Sequence, residues 1–495
     1  MKSNRSRTKI VATLGPVSAS PARIEALLRA GVDVFRINFS HGTHAELGVW
    51  IDRVRLAALR LGVACGILAD LQGPRIRLGR FQDGDPFHLK KGDGLTLVAD
   101  PRFIGGPGRV GCSYRRLALD LEPREQILID DGRIELVVQR IGRGEVHTRV
   151  VAGGLLRERK GLNLPGTKIS ATSLSGKDRL DLELALHKGV EFVALSFVRG
   201  PRDVVDLKRR ILRSGSSAAV IAKIERLEAV SSIEAIVEVA DAVMVARGDL
   251  GVELGVHAVP ALQKRIIRIC REHRKPVITA TQMMESMVEE PQPTRAEASD
   301  IANAIHDGTS ALMLSAETAI GRYPLEAVRM MNRIALETEE ELWLAMQSEG
   351  VPLLKSPAAA SVLSATVSAA ARAAALVGAR AIVVFTETGR TARHLSSDRL
   401  PVDLVAFTPH EDVRRRMSLL WGIHALSIPR ARDLAHLHRL AEASLLRLRL
   451  ARPGDRVVFI AGTFEVSGAT NTMLIKQIGS RPGSARKGLQ GPVSK

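Results

Sequence analysis

Short aliphatic runs that end in small or polar residues recur along most of the chain. Eight of them are candidate strands: residues 9–14, 32–39, 65–69, 192–197, 219–224, 242–246, 276–280 and 311–314. Amphipathic stretches with helical spacing, such as 21–30, 181–188 and 259–272, separate most of these runs. Eight buried strands that alternate with helices predict a closed (β/α)8 TIM barrel. Such a barrel carries its chemistry on the loops that follow the carboxyl ends of its strands.

The pattern changes twice along the chain. Residues 71–162 contain alternating segments (86–98, 126–141 and 145–151) separated by turn residues such as Asp131-Gly132, which is typical of antiparallel strands. This insertion predicts a small β-barrel lid domain at the catalytic face. An alanine-rich helix at 361–376 and strands at 381–385, 403–407, 424–428 and 456–460 predict a C-terminal α/β domain. The predicted limits are 1–70 and 163–345 for the barrel, 71–162 for the lid, 346–480 for the C-terminal domain and 481–495 for a flexible tail.

The composition supports buried parallel sheets. Of the 495 residues, 45% are hydrophobic but only 3% are aromatic, so the cores must be aliphatic. Cys65, Cys112 and Cys270 are far apart and lack metal-ligand spacing, which favours reduced thiols in a cytoplasmic protein. No apolar run approaches membrane-spanning length, so we expect no membrane partner.

The formal net charge of +18 raises the question of an anionic partner. The positive residues are spread through the chain, and the aromatic side chains needed to stack on bases are scarce. We therefore expect solvated basic faces that help to gather anionic substrates, and no nucleic-acid partner.

Two motifs at predicted strand ends carry the candidate chemistry. Lys223-Ile224-Glu225 closes one run and Arg247-Gly248-Asp249 follows the next, so both lie at the same mouth of the barrel. Carboxylates of neighbouring strand ends are hard oxygen ligands that suit Mg²⁺. Lys223 points to the same side as Glu225 and could cover a migrating phosphoryl group. Taken singly, each motif also fits a surface ion pair or a plain turn.

Seven segments together resemble the pyruvate kinase family. They are 8–16 (TKIVATLGP), 36–42 (RINFSHG), 223–225 (KIE), 244–251 (MVARGDLG), 279–283 (TATQM), 294–297 (TRAE) and 314–319 (LSAETA). The resemblance extends from about residue 8 to residue 479. Because all seven motifs occur in the family's order, the resemblance is specific.

The resemblance implies phosphoryl transfer from phosphoenolpyruvate to ADP, which gives pyruvate and ATP. It assigns Glu225 and Asp249 to the catalytic Mg²⁺, for which Mn²⁺ is the expected substitute. By family position, Arg36 and Lys223 are implied to bind the phosphoryl group. The backbone of Gly248 and Asp249, together with Thr281, is implied to bind the substrate carboxylate. The residues implied to bind the nucleotide are Asn38, His41, Arg77 and Lys160. Thr281 also lies where the family protonates the enolate, for which a water relay is expected. A helix N-terminal cap is the alternative role for Thr281.

One departure from the family pattern concerns K⁺. The family's K⁺ site uses the equivalents of Asn38, Ser40, Asp70 and Leu71. A nearby T-K-G-P-E segment of the family reads L-Q-G-P-R at residues 71–75 here, with Arg75 at the acidic position. Family members that work without K⁺ usually carry Leu-Gln with Lys at the last position, and a fixed guanidinium can supply the missing charge. We expect K⁺ independence, with neutral drift and partial K⁺ dependence as the alternative.

The C-terminal domain contains a candidate effector loop. Residues 386–392 (TETGRTA) follow a predicted strand, open a helix and resemble the family's loop for sugar phosphates. The candidate effector residues are Thr386, Thr388, Gly389, Arg390 and Thr391. Glu387 and Glu465 place negative charge where a bisphosphate would sit, so a sugar monophosphate or a nucleotide is the expected effector. A silent site is the alternative.

Two other functions remain open at this point. A barrel carbon–carbon lyase of phosphoenolpyruvate or pyruvate would share the Mg²⁺ and its carboxylates, but would not need Lys223, His41, Arg77 or a lid. A nucleic-acid binder would show a steep salt dependence of binding. The family resemblance further implies a homotetramer.

Overall fold

The computed structural model of the chain describes residues 5–170, 172–349, 361–462 and 470–479. The strands are β1 Lys9–Thr13, β2 Val34–Asn38, β3 Gly66–Asp70, β4 Phe87–Leu89, β5 Gly94–Val98, β6 Arg109–Gly111, β7 Gln126–Ile129, β8 Ile134–Gly142, β9 Glu145–Ala152, β10 Gly154–Leu156, β11 Leu162–Asn163, β12 Phe192–Leu195, β13 Ala219–Ile224, β14 Ala242–Ala246, β15 Val277–Ala280, β16 Ala311–Leu314, β17 Ala381–Phe385, β18 Asp403–Thr408, β19 Ile423–Ser427, β20 Arg456–Ala461 and β21 Thr472–Gln477.

The α-helices lie mainly between the barrel strands and in the C-terminal part. They are α1 Pro21–Ala30, α2 His44–Leu61, α3 Leu117–Asp120, α4 Gly176–His187, α5 Pro201–Arg213, α6 Leu227–Ser231, α7 Ile233–Val239, α8 Arg247–Leu254, α9 Val259–Glu272, α10 Arg295–Asp307, α11 Ala316–Ala319, α12 Pro324–Glu349, α13 Val362–Val377, α14 Arg390–Asp398, α15 Glu411–Arg416 and α16 Leu434–Arg447. No helix in the described part of the chain is both long enough and apolar enough to cross a membrane.

Eight parallel strands close into a barrel in the order β1-β16-β15-β14-β13-β12-β3-β2. Each predicted barrel strand is present, with limits within two residues of the prediction. Side chains such as Val11, Leu68 and Ile221 fill the barrel interior, and the outward-facing side chains pack against the helices. The barrel is therefore a packed core whose chemistry must lie at its mouth, as the sequence predicted.

Local sequence signals fix where the barrel helices begin. Thr43 forms a capping box with Glu46 at α2, and Thr294 forms one with Glu297 at α10. Each pair satisfies backbone N–H groups that have no acceptor within the helix. The helix predicted at 181–188 begins five residues earlier, at Gly176, because Ser175 caps it.

The insertion forms a six-stranded sheet, β11-β7-β8-β9-β5-β6, with its own aliphatic core and a separate β10-β4 pair. The predicted alternating segment 126–141 is divided into β7 and β8 by a turn in which Asp130, Asp131 and Gly132 have positive φ. Because this domain begins where β3 ends, it lies beside the barrel mouth.

The C-terminal residues form a second α/β unit with sheet order β19-β18-β17-β20-β21. Its first four strands match the predicted ones, and β21 adds an antiparallel edge strand that the sequence reading missed. The predicted fold class, a barrel with an inserted β domain and a C-terminal α/β domain, is confirmed. The exact domain limits stay a prediction, and the tail at 481–495 lies outside the described residues.

Candidate active site

Three strands of the barrel bring two cations and two carboxylates together near its mouth. The Nζ atom of Lys223 lies 2.9 Å from Glu225 Oε1 and 3.2 Å from Asp70 Oδ1. On the other side of Asp70, Arg36 Nε donates to Oδ2 at 2.7 Å. These residues come from β2, β3 and β13, which β12 connects within the barrel sheet. Asp70 thus joins the two cations that the resemblance assigns to the phosphoryl group.

This cluster is buried and electrostatically coupled. Burial alone would lower the pKa of Lys223, but Asp70 and Glu225 outweigh burial and raise it. Burial would raise the pKa of Asp70, yet Lys223 and Arg36 hold it below its ordinary value. Lys223 is therefore a fixed ammonium and Asp70 a fixed carboxylate at neutral pH. The arrangement can stabilise negative charge that develops in a transferring phosphoryl group.

Glu225 and Asp249 line the same cleft between the barrel and the inserted domain. Asp249 lies in the first turn of α8, directly after β14, the neighbour of β13. Burial raises the pKa of Glu225 and Asp249 adds to the shift, against the opposing effect of Lys223. Two carboxylates that repel each other beside substrate space suit a divalent cation, which takes its other ligands from water and substrate. Among the described residues no group of three or more His, Cys, Asp or Glu side chains is placed to hold a metal ion by itself.

Thr281 is held in an unusual backbone conformation next to α8. Thr281 and Gln282 have φ of 68° and 53°, in the left-handed region that disfavours residues with a side chain. The guanidinium of Arg247 donates to Thr281 O at 2.8 Å and to Gln282 O at 2.7 Å. Thr281 Oγ1 accepts the Gly248 N–H at 3.0 Å. Thr281, which follows the neighbouring strand β15, therefore satisfies an amide in the first turn of α8, and its role toward the enolate stays a prediction.

The residues assigned to the nucleotide lie in a positive environment. Burial lowers the pKa of His41, and Arg77, Arg36, Arg75 and Lys177 lower it further. Arg77 donates to the carbonyl of Arg159 at 3.2 Å. Lys160 does not project freely, because its Nζ lies 2.7 Å from Asp130 Oδ1 on the inserted domain.

The four residues of the family's K⁺ site also lie together. Asn38 and Asp70 are paired in the register of β2 and β3, and Asn38 Oδ1 accepts the Ser40 N–H at 3.1 Å. Leu71 is buried and offers no side-chain oxygen. Arg75 lines the cleft that also contains Glu225 and Asp249.

Sequence reasoning missed the residues that follow β12. Ser196 Oγ accepts from Lys223 Nζ at 2.7 Å and donates to the carbonyl of Leu71. The Phe197 N–H donates to Glu225 Oε2 at 2.6 Å. The available signal was the strand-end rule itself, since these two residues directly follow a barrel strand. They hold Lys223 and Glu225 in place rather than adding charge.

The effector loop turns at Gly389 and lies beside Thr470. The Gly389 N–H donates to Thr386 Oγ1 at 2.9 Å, and Gly389 has φ of 81°. The hydroxyl groups of Thr391 and Thr470 are 2.7 Å apart. Glu387 forms a hydrogen bond with a ring nitrogen of His410. Glu465, the other predicted acidic residue, lies outside the described residues.

A closed parallel barrel with cations and carboxylates gathered at its mouth defines a barrel enzyme of the phosphotransferase class. A family profile described as "Pyruvate kinase, barrel domain" matches residues 5–328, and one described as "Pyruvate kinase, alpha/beta domain" matches residues 364–476. The chain belongs to the pyruvate kinase family.

Similar proteins cover nearly the whole chain. A pyruvate kinase of Mycobacterium tuberculosis is 44% identical over 96% of this chain and 98% of its own length. Pyruvate kinase 2 of Synechocystis is 42% identical over 99% of this chain and 82% of its own length. The crystal structure of a pyruvate kinase from Cryptosporidium parvum superposes with a TM-score of 0.87 at 34% identity and covers 96% of both chains.

Proposed function

We propose that this chain transfers the phosphoryl group of phosphoenolpyruvate to ADP and produces pyruvate and ATP. The observation that carries the proposal is the position of Lys223, fixed between Glu225 and Asp70 and joined through Asp70 to Arg36. Membership of the pyruvate kinase family supports the choice of substrates. A lyase of the same substrates would not need a buried ammonium beside a second cation.

In this reaction Lys223 and Arg36 would hold the phosphoryl oxygens while the group moves between its donor and ADP. Both cations are fixed in advance by Asp70, so little reorganisation is needed when charge develops. Glu225 and Asp249 would hold the divalent cation, for which we propose Mg²⁺ with Mn²⁺ as a substitute. The bound cation would act as a Lewis acid on phosphoryl oxygens.

The carboxylate of phosphoenolpyruvate would lie at the start of α8. The first amides of a helix have no acceptor within the helix, and the helix dipole favours an anion there. The Gly248 N–H already donates to Thr281 Oγ1. The Asp249 N–H and the Thr281 hydroxyl are therefore the further groups that would contact the carboxylate. Thr281 would pass a proton to the enolate through a water molecule, because a hydroxyl is a weak acid by itself.

Asn38, His41, Arg77 and Lys160 would bind the nucleotide. The four cations that lower the pKa of His41 show how positive this part of the mouth is. A polyphosphate would be attracted to it. Lys160 would exchange its Asp130 partner for a phosphate when the nucleotide binds.

The test is pyruvate formation from phosphoenolpyruvate with a divalent cation, with and without ADP. We expect ADP-dependent pyruvate release, and a loss of at least about a thousandfold in kcat for Lys223→Met. Lys188→Met is the matched control, since Lys188 pairs with the exposed Asp52 on the outside of the barrel. Pyruvate release without ADP would be hydrolysis of phosphoenolpyruvate and would contradict the kinase proposal, an absence of pyruvate release in both conditions would favour the lyase, and an active Lys223→Met variant would contradict the role of Lys223.

We propose that the enzyme works without K⁺. The support is that Arg75 lines the cleft of Glu225 and Asp249, while Leu71 offers no side-chain oxygen. Replacing K⁺ by tetramethylammonium should leave kcat within about twofold, since a guanidinium in the cleft supplies positive charge without an added ion. A severe loss of activity in tetramethylammonium would refute this proposal. Arg75→Gln should lower activity equally in both salts.

We propose that the loop at 386–391 binds a phosphorylated effector, a sugar monophosphate or a nucleotide. The open start of α14 behind Gly389 supports an anion there, because no side chain caps it. Activity at low substrate concentration should respond to such a phosphate, and Thr391→Val should abolish the response. An unresponsive wild type would make the site silent.

A homotetramer is our proposal for the assembly. Its support is β21, an edge strand on which Met473, Leu474 and Ile475 are 38–42% exposed. Unpaired apolar edge strands are favourable places for chains to associate. Light scattering should show four chains, and Leu474→Lys should reduce that number.

The three buried free thiols support a cytoplasmic location.

A further inference from the structure

Two connections join the inserted domain to the barrel, and barrel side chains hold both of them. In the first, which follows β3, Ser196 Oγ donates to the carbonyl of Leu71 at 2.8 Å. Two residues further on, the Gly73 N–H donates at 3.0 Å to Oδ1 of Asp178, a fully buried carboxylate. The second connection, residues 164–170, lies between β11 and α4, and we call it the return strap.

Arg226 and Glu253 hold the main chain of the return strap. Arg226 Nη2 donates to the carbonyl of Thr167 at 2.8 Å. Glu253 Oε1 accepts the N–H of Gly166 at 3.3 Å and lies 3.7 Å from Arg226 Nη2. The side chains of Arg226 and Glu253 are only 7% and 4% exposed. Hydrogen bonds from buried charged groups are among the stronger ones, so this part of the strap has a well-defined position.

A third barrel side chain, Arg199, fixes the next part of the strap. Its Nη1 donates to the carbonyl of Ile169 at 2.7 Å. The hydroxyl group of Thr167 adds no such contact, because Thr167 Oγ1 is buried without a hydrogen-bond partner in the part of the chain that the structure describes. The barrel therefore holds the strap by its backbone, through Arg226, Glu253 and Arg199, which we call the clamp.

The inserted domain holds the same strap from the other side. Asp120 accepts the N–H of Ser170 and its hydroxyl group, each at 2.8 Å. Leu164 and Ile169 pack against the aliphatic core of the inserted domain. Because the strap is attached to both bodies, contacts that fix it on the barrel also limit where the inserted domain can lie.

Two members of the clamp are neighbours of the carboxylates proposed to hold the divalent cation. Arg226 directly follows Glu225 at the end of β13. Glu253 is four residues after Asp249 in α8, so both lie on one face of that helix. All four residues line the cleft between the barrel and the inserted domain. The proposed cation site and the attachment of the strap therefore share one part of the barrel mouth.

The strap also continues the segment that carries residues proposed to bind the nucleotide. Lys160 lies just before β11, and Arg77 pairs with Gly161 in an antiparallel bridge. In contrast, Arg36 and Lys223, proposed for the phosphoryl group, belong to the barrel strands. A displaced strap should therefore disturb the contacts with ADP more than those with phosphoenolpyruvate.

We propose that Arg226 and Glu253, supported by Arg199, are positioning residues that place the inserted domain over the bound nucleotide. This inference rests on the proposed transfer of a phosphoryl group to ADP. The clamp acts through the strap, which keeps Lys160 and Arg77 against the barrel mouth. Such placement matters for the rate, because a displacement of about 1 Å costs about a hundredfold.

The first test measures the strap itself and needs no activity. Trypsin is added to the full chain, and cleavage after Lys168, an exposed residue of the strap, is followed by the mass of the fragments. Arg226→Met should speed this cleavage about tenfold, because proteolysis requires local opening of the chain. Cleavage at other sites should keep its rate. Arg209→Met is the matched control, since Arg209 pairs with the exposed Asp206 on α5, and it should cleave as the wild type does.

The second test separates KM from kcat. In Arg226→Met the KM for ADP should rise about fivefold and kcat should fall about tenfold, while the KM for phosphoenolpyruvate should change by less than about threefold. Arg226→Lys keeps one donor and should recover part of both losses. Arg199→Met removes a clamp contact that is not next to Glu225 in the chain. It should show the same pattern at smaller size, and it replaces Arg226→Met if that variant folds poorly.

Unchanged cleavage after Lys168 in Arg226→Met, or an unchanged KM for ADP, would overturn the proposal. Faster cleavage at all sites with an unchanged KM for ADP would also overturn it, since that is the result of a merely structural role. A wild type that forms no pyruvate with ADP would refute the proposed reaction. An active wild type whose KM for ADP is kept by both Arg226→Met and Arg199→Met would leave the reaction standing and refute the clamp alone.

Discussion

Asp70 is the residue on which the geometry of the candidate active site depends. Its side chain is 2% exposed and contacts Lys223 with one oxygen and Arg36 with the other. A buried carboxylate with two cationic partners compensates charges that would otherwise be costly to bury. It also holds both cations at the separation that a phosphoryl group would meet.

We therefore predict that Asp70→Asn impairs both stability and activity. The neutral amide leaves two buried cations poorly compensated, so the free energy of unfolding should fall by about 3 kcal/mol. The kcat/KM should fall at least a hundredfold because Lys223 and Arg36 lose their fixed positions. Denaturant unfolding and initial-rate assays measure the two effects.

The matched control for this prediction is Asp52→Asn. Asp52 pairs with Lys188 and its side chain is 60% exposed, so its removal should change stability by less than about 1 kcal/mol. Normal kinetics of Asp70→Asn would show that Lys223 and Arg36 keep their positions without this carboxylate.

At this scale the sequence predicted the charged groups but not their connections. Lys223, Glu225 and Asp249 follow from the rule that chemistry lies at strand ends. The link from Lys223 to Asp70 joins β13 to β3, which are distant in the chain and separated in the barrel by β12 alone, and the contact with Ser196 joins β13 to the end of β12. Such contacts arise from closure of the barrel, which a pattern of hydrophobic runs does not specify.

At the scale of elements, the turn after β15 stores conformational strain beside the start of α8. Thr281 and Gln282 both have positive φ, and Arg247 holds their carbonyls. Strained residues persist when surrounding contacts over-determine them, and here those contacts come from α8. The strain keeps the Thr281 hydroxyl against the Gly248 amide.

Gln282→Gly tests whether this strain serves activity. The exposed Gln282 side chain makes no hydrogen bond with any described residue, so glycine removes strain without removing a contact. Stability should stay equal or rise by up to about 1 kcal/mol, while kcat should fall about tenfold because the turn becomes less fixed. Thermal unfolding and kcat report the two effects.

Arg449→Gly provides the comparison. Arg449 also has positive φ, at 57°, but it follows α16 in the C-terminal domain. The same substitution there should affect stability in the same direction and leave kcat unchanged. If Gln282→Gly were equally neutral for kcat, the strained turn would have no catalytic role.

Element positions were the most predictable feature of this chain. The aliphatic runs and caps place all eight barrel strands, and α1 and α9 match the predicted helices from end to end. The edge strand β21 was missed because its residues are apolar on both faces and lack the period of a half-buried strand. The glycines of the Arg247-Gly248-Asp249 motif also fitted a plain turn, but residues 247–254 form α8, whose first turn Thr281 and Arg247 tie to the end of β15.

At the scale of the whole molecule, the amino-terminal segment fastens the barrel to the C-terminal domain. Arg7 donates to the carbonyls of Leu400 and Val402 and contacts Asp403. Lys9 Nζ donates to the carbonyl of Ile423 in β19. These are cations within an interface, so a further positive charge nearby should weaken the association of the two domains.

His424 in β19 is the group that would acquire such a charge. Burial is the main cause that lowers its pKa, Lys9, Arg7 and Arg5 act in the same direction against Asp403, and together they bring the pKa to about 4. In the unfolded chain its pKa is about 6.5. Between these two values the unfolded chain binds a proton that the folded chain does not, so the stability that the neutral side chain provides is lost as pH falls from 6.5 towards 4.

We predict that His424→Gln flattens the decline of Tm between pH 7 and pH 5, because glutamine binds no proton in either state. The informative quantity is the slope of Tm against pH, since the absolute Tm also reflects packing of the new side chain. His273→Gln, at an exposed histidine that follows α9, should keep the slope of the wild type. An unchanged slope in His424→Gln would mean that other groups control the acid sensitivity. A flattened slope would identify the interface around Arg7 and Lys9 as the part of the molecule that acid loosens first.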